Sequence, residues 1–261
     1  MIGSANLNIM MKAARKAGRS LAKDFREVEN LQTSRKGPAD FVSKADIEAE
    51  RILREELSEA RPTYGWLGEE SGEAEGKDPT RRWIVDPLDG TTNFLHGMPH
   101  WAVSIALEHK GKIVAGVVYD APKDECFFAE KGAGAWLNES RLRVSARSNL
   151  NECVFATGLP FAGRPHLPDT LQDLARILPV CAGVRRWGAA ALDLAYVAAG
   201  RYDGYWERDL NIWDIGAGML IAQEAGALVG SVNADADPFD DCCPLVASEP
   251  IFDKFAKIVR G

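Results

Sequence analysis

The spacing of apolar residues over 44–59 predicts an amphipathic helix. The apolar stripe consists of Ala49, Ile52, Leu53 and Leu57. Ser43 stands directly before this segment as a candidate N-cap, and Asp46 is a carboxylate variant of the residue that completes a capping box. A second helical pattern runs over about 6–28. The pattern therefore places two helices in the first 60 residues.

Strand-like segments replace the helical period after Pro62. The segments 63–68 and 82–86 are short and contain β-branched or aromatic residues, 102–108 and 113–119 alternate between apolar and polar residues, and 125–129 follows after Pro122. Lys110, Gly111 and Lys112 form a short turn between two of them, as in a β-hairpin. These short connections predict a sheet in which several neighbouring strands are antiparallel.

Past about Ser145, helical patterns alternate with short apolar strands, which is typical of an α/β arrangement. The predicted helices are 169–177, 189–199, 214–225 and 251–259, and the predicted strands are 153–157, 227–230 and 244–247. We place a boundary near residue 145, between an N-terminal α+β subdomain (1–145) and a C-terminal α/β subdomain (146–261). Since no Gly/Ser-rich linker separates them, we expect the two to share an interface that holds the site.

Composition narrows the class of protein further. With 46% hydrophobic residues, the 261-residue chain can bury a large core. Its net charge of −7 argues against direct binding of nucleic acid, which needs a basic face. No run approaches the ~18 apolar residues that span a bilayer. The five cysteines are odd in number and lack metal-binding spacing, so we expect reduced thiols in a cytoplasmic protein.

The segment Asp86-Pro87-Leu88-Asp89 is the strongest chemical signal in the sequence. Proline disfavours helix in the residue before it, so Asp86 is expected at a strand end, followed by a turn. Such a turn can direct both carboxylates and the Leu88 carbonyl towards one point. Oxygen ligands of this kind suit Mg²⁺ or Mn²⁺. The segment is also rich in turn-forming residues, so an ordinary surface turn stays an alternative.

Acids also stand at two other element boundaries. Glu69 and Glu70 follow the strand predicted over 63–68, and alone they are as well explained by a solvated corner. Asp214 opens a helix that becomes wholly apolar, and alone it is as well explained by a simple N-terminal cap. Acids gathered in one buried place would repel each other unless cations intervene, so their convergence would favour metal binding.

Three acidic motifs and five further segments resemble the inositol monophosphatase family of Mg²⁺-dependent, lithium-sensitive phosphatases. The acidic motifs are Gly68-Glu69-Glu70, Asp86-Pro87-Leu88-Asp89-Gly90-Thr91-Thr92-Asn93 and Trp213-Asp214-Ile215-Gly216-Ala217-Gly218. The further segments are Lys36-Gly37-Pro38-Ala39-Asp40, Ser43-Lys44-Ala45-Asp46, Val118-Tyr119-Asp120-Ala121-Pro122, Gly188-Ala189-Ala190 and Glu224-Ala225-Gly226. The resemblance covers nearly the whole chain. It implies a layered α-β-α-β-α sandwich and a homodimer.

The resemblance also implies a role for each site residue. Two or three Mg²⁺ ions, with Mn²⁺ as a substitute, are expected on Glu69, Asp86, the Leu88 carbonyl, Asp89 and Asp214. Glu69 and Thr91 are expected to orient the attacking water, with Asp46 hydrogen-bonded near Thr91. Substrate contacts are expected from Gly90, Thr91, Ala190, Glu207 and Asp214.

The implied activity is hydrolysis of a small phosphomonoester by a metal-activated water. Glu207, which the resemblance places against a substrate hydroxyl, favours inositol 1-phosphate. Three other substrates stay open within the same fold: 3′-phosphoadenosine 5′-phosphate, fructose 1,6-bisphosphate and histidinol phosphate. A hypothesis of another class, also from the resemblance, is a regulatory protein that binds the bacterial transcription machinery. No residues in this sequence single out such a surface.

Overall fold

The computed structural model describes residues 3–27, 33–37, 40–160, 163 and 165–261, with the backbone alone for 33–37 and 40–42. In this part of the chain the helices are α1 (Ala5–Phe25), α2 (Lys44–Ala60), α3 (Thr91–Leu95), α4 (Leu167–Ile177), α5 (Ala190–Ala198), α6 (Ile212–Glu224), α7 (Pro238–Asp241) and α8 (Glu249–Arg260). The strands are β1 (Thr33–Gly37), β2 (Asp40–Ser43), β3 (Tyr64–Gly68), β4 (Gly72–Ala74), β5 (Asp78–Asp89), β6 (Ala102–His109), β7 (Lys112–Asp120), β8 (Glu125–Glu130), β9 (Gly134–Leu137), β10 (Ser140–Arg141), β11 (Val154–Thr157), β12 (Gly183–Arg185), β13 (Gly204–Trp206), β14 (Ala227–Ser231) and β15 (Pro244–Ser248).

The helices and two large sheets form five layers. Helices α1 and α2 pack on one face of an eight-stranded sheet with the order β10-β9-β8-β7-β6-β5-β3-β4. Helices α5 and α6 lie between this sheet and a five-stranded sheet with the order β12-β11-β13-β15-β14. Helices α4 and α8 pack together, and α8 packs on the five-stranded sheet. The predicted α-β-α-β-α sandwich is therefore confirmed.

The apolar core follows these layers in three clusters. Leu53 of α2 and Trp83 of β5 belong to the first cluster, Ile215 of α6 to the central one, and Phe155 and Phe255 to the third. Burial of one such side chain contributes about 1.5–3 kcal/mol. The central helix α6 is buried from Ile215 to Ala222, because sheets cover it on both sides.

Helix α2 begins as the sequence predicts. The Ser43 N–H donates to Asp46 Oδ2 (2.9 Å), and the Ala45 N–H donates to the Ser43 hydroxyl oxygen (3.1 Å). These bonds form the capping box that the sequence indicates. Helix α1 ends at Phe25 rather than near Val28, which lies outside the described residues.

Strand β5 is longer than predicted and corrects the expectation that a turn follows Asp86. Its pairing with β3, which is parallel, ends at Val85, and it continues to Asp89 because its antiparallel pairing with β6 extends to Ala102. The pairing with β6 shifts register between Asp86 and Asp89, so the predicted break is an irregularity within the strand. The predicted hairpin between β6 and β7 is confirmed, with positive φ at Lys110 and Gly111.

The five-stranded sheet is mixed: β11 is parallel to β12 and β13, and β13 is antiparallel to β15. The predicted strands β11, β14 and β15 are confirmed, whereas β12 and β13 were not predicted. All five cysteines are free thiols, as expected. No helix within the described residues has the length and apolar character needed to cross a membrane. The subdomain boundary near residue 145 stays a prediction.

The two halves meet closely between β7 and α6. An ideal Cβ placed on Gly116 of β7 would lie 2.9 Å from the carbonyl oxygen of Ala217 in α6. A side chain at position 116 would therefore collide with the helix backbone. Because glycine has no side chain, the backbones of β7 and α6 can pack directly against each other at this point.

Candidate active site

The turn after β3 carries Glu69 to the side of β5. The Glu69 N–H donates to the carbonyl oxygen of Val85 (3.1 Å), which fixes the turn beside Asp86. The next amide, Glu70 N–H, donates to Glu50 Oε2 (2.9 Å). Glu50 lies on α2 and is 4% exposed. This buried carboxylate holds the turn in place, and the sequence analysis did not identify it.

The irregularity in β5 turns Asp86 and Asp89 towards one region. In a regular strand, residues three apart point to opposite faces of the sheet. The register shift between them removes this alternation. The Leu88 N–H donates to Asp86 Oδ1 (2.9 Å), which fixes that carboxylate. Asp86 and Asp89 are 2% and 7% exposed, so both acids are buried.

Thr91 connects the end of β5 to helix α2. Its hydroxyl oxygen lies 3.0 Å from Asp46 Oδ1 and 3.0 Å from the Leu88 carbonyl oxygen. That carbonyl has a second lone pair, so the contact with Thr91 does not exhaust it. Gly90 precedes α3 with φ +92°, a conformation that favours glycine. The short helix α3 begins at Thr91, and the hydroxyl of this first residue contacts the Asp46 carboxylate.

The central helices bring the remaining residues to these acids. The N–H groups of Ala190 and Ala191 at the start of α5 donate to the Asp89 carboxylate (3.2 and 2.9 Å). Asp214 in the first turn of α6 accepts the Asn211 N–H through Oδ2 (2.7 Å). Asp214 thus takes part in capping the helix, which agrees with the simpler of its two interpretations from the sequence. Asp214 also lies close enough to Asp89 for the two charges to interact.

The electrostatics of the cluster show that the acids converge. Burial, followed by the charges of Glu69, Asp89 and Asp214, raises the pKa of Asp86 well above its ordinary value. Burial and the charge of Asp214 do the same to the pKa of Asp89, and backbone N–H groups of α5 oppose them. Within the described residues, no Lys or Arg is among the neighbours that act most strongly on these two pKa values.

A hydrogen bond between the side chains of Asp86 and Glu69 adds to the rise in the pKa of Asp86. In the described ranges, no three His, Cys, Asp or Glu side chains are already arranged as the ligands of an ion. The convergence of the acids is therefore seen in the effect of their charges on each other's pKa values.

Glu207 lies at the end of β13, on the same side of the five-stranded sheet as α5. Its Oε2 accepts the hydroxyl of Tyr205 (2.5 Å), and Tyr205 is fully buried. Asp193 of α5 is 1% exposed, and burial followed by the charges of Glu207 and Asp89 raises its pKa well above the ordinary value. Asp193 thus lies between Glu207 and the acid cluster.

The structure places the predicted site residues in three connected groups. The charges of Glu69, Asp86, Asp89 and Asp214 form the first group. Asp46, Thr91 and the Leu88 carbonyl, with Gly90 before Thr91, form the second. The third group consists of Ala190 and Glu207. The Ala190 N–H donates to Asp89, and the charge of Glu207, like that of Asp89, raises the pKa of Asp193.

Two buried acids near the site were missed by sequence reasoning. Glu50 follows Asp46 by four residues in α2, and this spacing places both on one helix face. Asp193 is the acid within the otherwise apolar helix α5. A charged residue inside a buried helix is the signal that could have identified it.

His100 lies at the edge of this region and gives a pH-dependent prediction. Burial, followed by the charge of Lys123, lowers the pKa of His100 from 6.5 to about 4. Its ring packs against Trp187 and Tyr196, with centroids 5.2 and 5.9 Å away. As the pH falls, His100 becomes protonated in the unfolded chain at a higher pH than in the folded protein. We therefore expect the free energy of unfolding to fall by up to about 3 kcal/mol as pH drops from 6.5 to 4.

Urea unfolding at several pH values between 4 and 7 measures this loss, and His100→Gln should reduce its slope. His96→Gln is the matched control, because His96 is exposed. An identical slope in His100→Gln and the unchanged protein would contradict the prediction.

Comparisons with known proteins agree with this fold and show the family of the chain. The model of the inositol monophosphatase family matches residues 4–258. The inositol-1-monophosphatase of Caulobacter vibrioides is 57% identical over 97% of this chain and 100% of that protein. Nus factor SuhB of Vibrio cholerae is 46% identical over 94% of this chain and 91% of that protein. The crystal structure of extragenic suppressor protein suhB from Bartonella henselae has a TM-score of 0.96 and 53% identity, covering 98% of this chain and 99% of that chain.

The family match places the chain in a class of phosphatases that act on small phosphorylated substrates. The chain belongs to the inositol monophosphatase family. Enzymes of this family are generally metal-dependent.

Proposed function

We propose that this phosphatase hydrolyses a small phosphorylated polyol, inositol 1-phosphate, with Mg²⁺. The observation that carries the proposal is the convergence of four acids, in which burial and then the charges of the other three raise the pKa of Asp86. Acids so placed fit divalent cations with oxygen ligands. The residues proposed to hold two or three Mg²⁺ ions, or Mn²⁺ as a substitute, are Glu69, Asp86, Leu88 through its carbonyl, Asp89 and Asp214.

The bound ions would activate a water and neutralise phosphate oxygens. The residues of the chain have separate tasks. Glu69 and Thr91 orient the attacking water, and Asp46 holds the Thr91 hydroxyl at 3.0 Å. The N–H groups of Gly90 and Thr91 bind phosphate oxygens. Ala190 lies beside the sugar ring, and Glu207 accepts a hydrogen bond from a substrate hydroxyl.

Phosphate release from inositol 1-phosphate tests this function. We expect turnover with Mg²⁺, partial replacement by Mn²⁺ and loss of activity in EDTA. The panel includes 3′-phosphoadenosine 5′-phosphate, fructose 1,6-bisphosphate and histidinol phosphate. A tenfold preference for any of these three over inositol 1-phosphate would overturn the substrate assignment. Turnover that is unchanged in EDTA would overturn the metal assignment.

A second candidate function is a regulatory role through a protein partner in the transcription machinery. The observation that favours it is the similarity to Nus factor SuhB of Vibrio cholerae. A catalytically inactive variant should then still capture a specific transcription protein. A pull-down that recovers no such protein would leave phosphate hydrolysis as the only candidate function. A homodimer and a cytoplasmic location stay predictions.

A further inference from the structure

The ends of β11 and β13 bring Gly158 and Glu207 together. The two strands are parallel, with Thr157 opposite Trp206 in the register. The Thr157 hydroxyl donates to the carbonyl oxygen of Trp206 (2.7 Å), which closes this end of the pair. Gly158 and Glu207 are the next residues on each strand, so they leave the sheet side by side. Ligand sites commonly lie at the carboxyl ends of parallel strands.

Gly158 provides the space that the Glu207 carboxylate fills. An ideal Cβ on Gly158 would lie 1.7 Å from Glu207 Oε1, 1.9 Å from Cδ and 2.2 Å from Oε2. A methyl group and this carboxylate cannot occupy the same volume. Gly158 is not among the residues with positive φ, so its requirement is for space and not for backbone conformation. The carboxylate is the far end of a flexible side chain, so a methyl group there would move it without breaking the sheet.

Tyr205 fixes the same carboxylate from within the sheet. Its hydroxyl donates to Glu207 Oε2, and the tyrosine is fully buried. Asp193 lies close enough for its charge to interact with that of Glu207, and its Oδ1 is a buried oxygen without a hydrogen-bond partner in the described residues. The bond from Tyr205 and the space above Gly158 together favour one direction for the Glu207 carboxylate.

We propose that Gly158 and Tyr205 are positioning residues that determine specificity, because they hold the Glu207 carboxylate where it accepts a hydroxyl of the substrate. The inference rests on the proposed function, since it assigns the polyol preference to these residues. A site built to bind a hydroxyl discriminates strongly against an analogue that lacks it. The two residues act on substrate choice through Glu207 and do not touch the phosphate chemistry.

Gly158→Ala tests this role. We expect the ratio of kcat/KM for inositol 1-phosphate to kcat/KM for phenyl phosphate, which has no hydroxyl on its ring, to fall about tenfold to hundredfold. The loss should lie mainly in KM. Tyr205→Phe should shift the ratio in the same direction and by less. Tyr119→Phe is the matched control, because it removes a hydroxyl that donates to Asp124 (2.8 Å) on the other sheet, and it should leave the ratio unchanged.

Glu207→Gln gives the background that separates positioning from general damage. Combined with Glu207→Gln, Gly158→Ala should add less than about a twofold change to the ratio, because both act through one carboxylate. Two results would overturn the inference while the proposed function stands. One is that Gly158→Ala lowers the ratio in the Glu207→Gln background as much as it does in the unmodified protein, and the other is that Gly158→Ala alone leaves the ratio unchanged. If the unmodified protein with Mg²⁺ hydrolyses neither ester, the proposed function fails, and the inference fails with it.

Discussion

Asp86→Asn is expected to lower kcat/KM for Mg²⁺-dependent phosphate release by about 10³-fold. Asn keeps an oxygen that can accept the Leu88 N–H, so the irregularity in β5 is retained. One of four neighbouring negative charges is removed. Because burial and like charges raise the pKa of Asp86, the same variant should have a higher Tm in EDTA than the unmodified protein. Activity and stability are thus expected to change in opposite directions.

The control is Asp253→Asn on the exposed side of α8, which should change neither quantity. Phosphate release at saturating Mg²⁺ and thermal unfolding in EDTA are the two measurements. If Asp86→Asn retained turnover within tenfold, the metal assignment would be wrong. Asp89→Asn is a less clean test, since the Asp89 carboxylate also accepts the N–H groups of Ala190 and Ala191. An amide nitrogen at position 89 would face one of these donors.

Asp173→Ala is expected to reduce the free energy of unfolding by about 3–5 kcal/mol. Asp173 of α4 is fully buried. Its carboxylate accepts bonds from Arg176 (2.8 Å), from the Trp206 indole N–H (3.2 Å) and from Arg208. Removal of this one acid takes the acceptor from the Arg208 guanidinium and from the Trp206 indole, whereas Arg176 keeps the carbonyl oxygens of Ile258 and Val259. Urea unfolding at pH 7 measures the loss.

The control for this variant lies on the same helix. Asp169→Ala removes an exposed acid that pairs with His166, and such surface pairs contribute about 0–1 kcal/mol. A loss in Asp173→Ala no larger than that in Asp169→Ala would contradict the structural role of the buried acid. Trp206 and Arg208 flank Glu207 in the chain, so Asp173 also anchors the segment that carries the acid proposed to face the substrate.

Local signals in the sequence were sufficient for much of the fold. The capping box of Ser43 and Asp46 starts α2 where predicted, because its partners lie three residues apart. The strands of the β6–β7 hairpin were also predicted, since alternation and a two-residue turn act over short distances. The resemblance supplied the grouping of Glu69 with Asp214, which no local pattern contains.

Features that depend on distant partners could not be predicted in this way. Strand β13 has only three residues, and it is a strand because β11 and β15 pair with it. The length of β5 likewise comes from its antiparallel pairing with β6, which extends to Ala102. Glu50 accepts the N–H of Glu70, which is 20 residues away along the chain, and Gly158 lies against Glu207, which is 49 residues away. Tertiary packing decides each of these contacts.

The close approach of Gly116 to Ala217 bears on which cation the proposed metal site would accept. Asp214 projects from α6, whereas Asp86 and Asp89 belong to the sheet that Gly116 joins to α6. The distance between the proposed ligands on the helix and those on the sheet therefore depends on the contact at Gly116. Mg²⁺ demands short, nearly regular octahedral bonds, whereas larger ions tolerate longer ones. A methyl group at position 116 would widen the opening and shift the balance towards ions of greater radius, with every proposed oxygen donor still present.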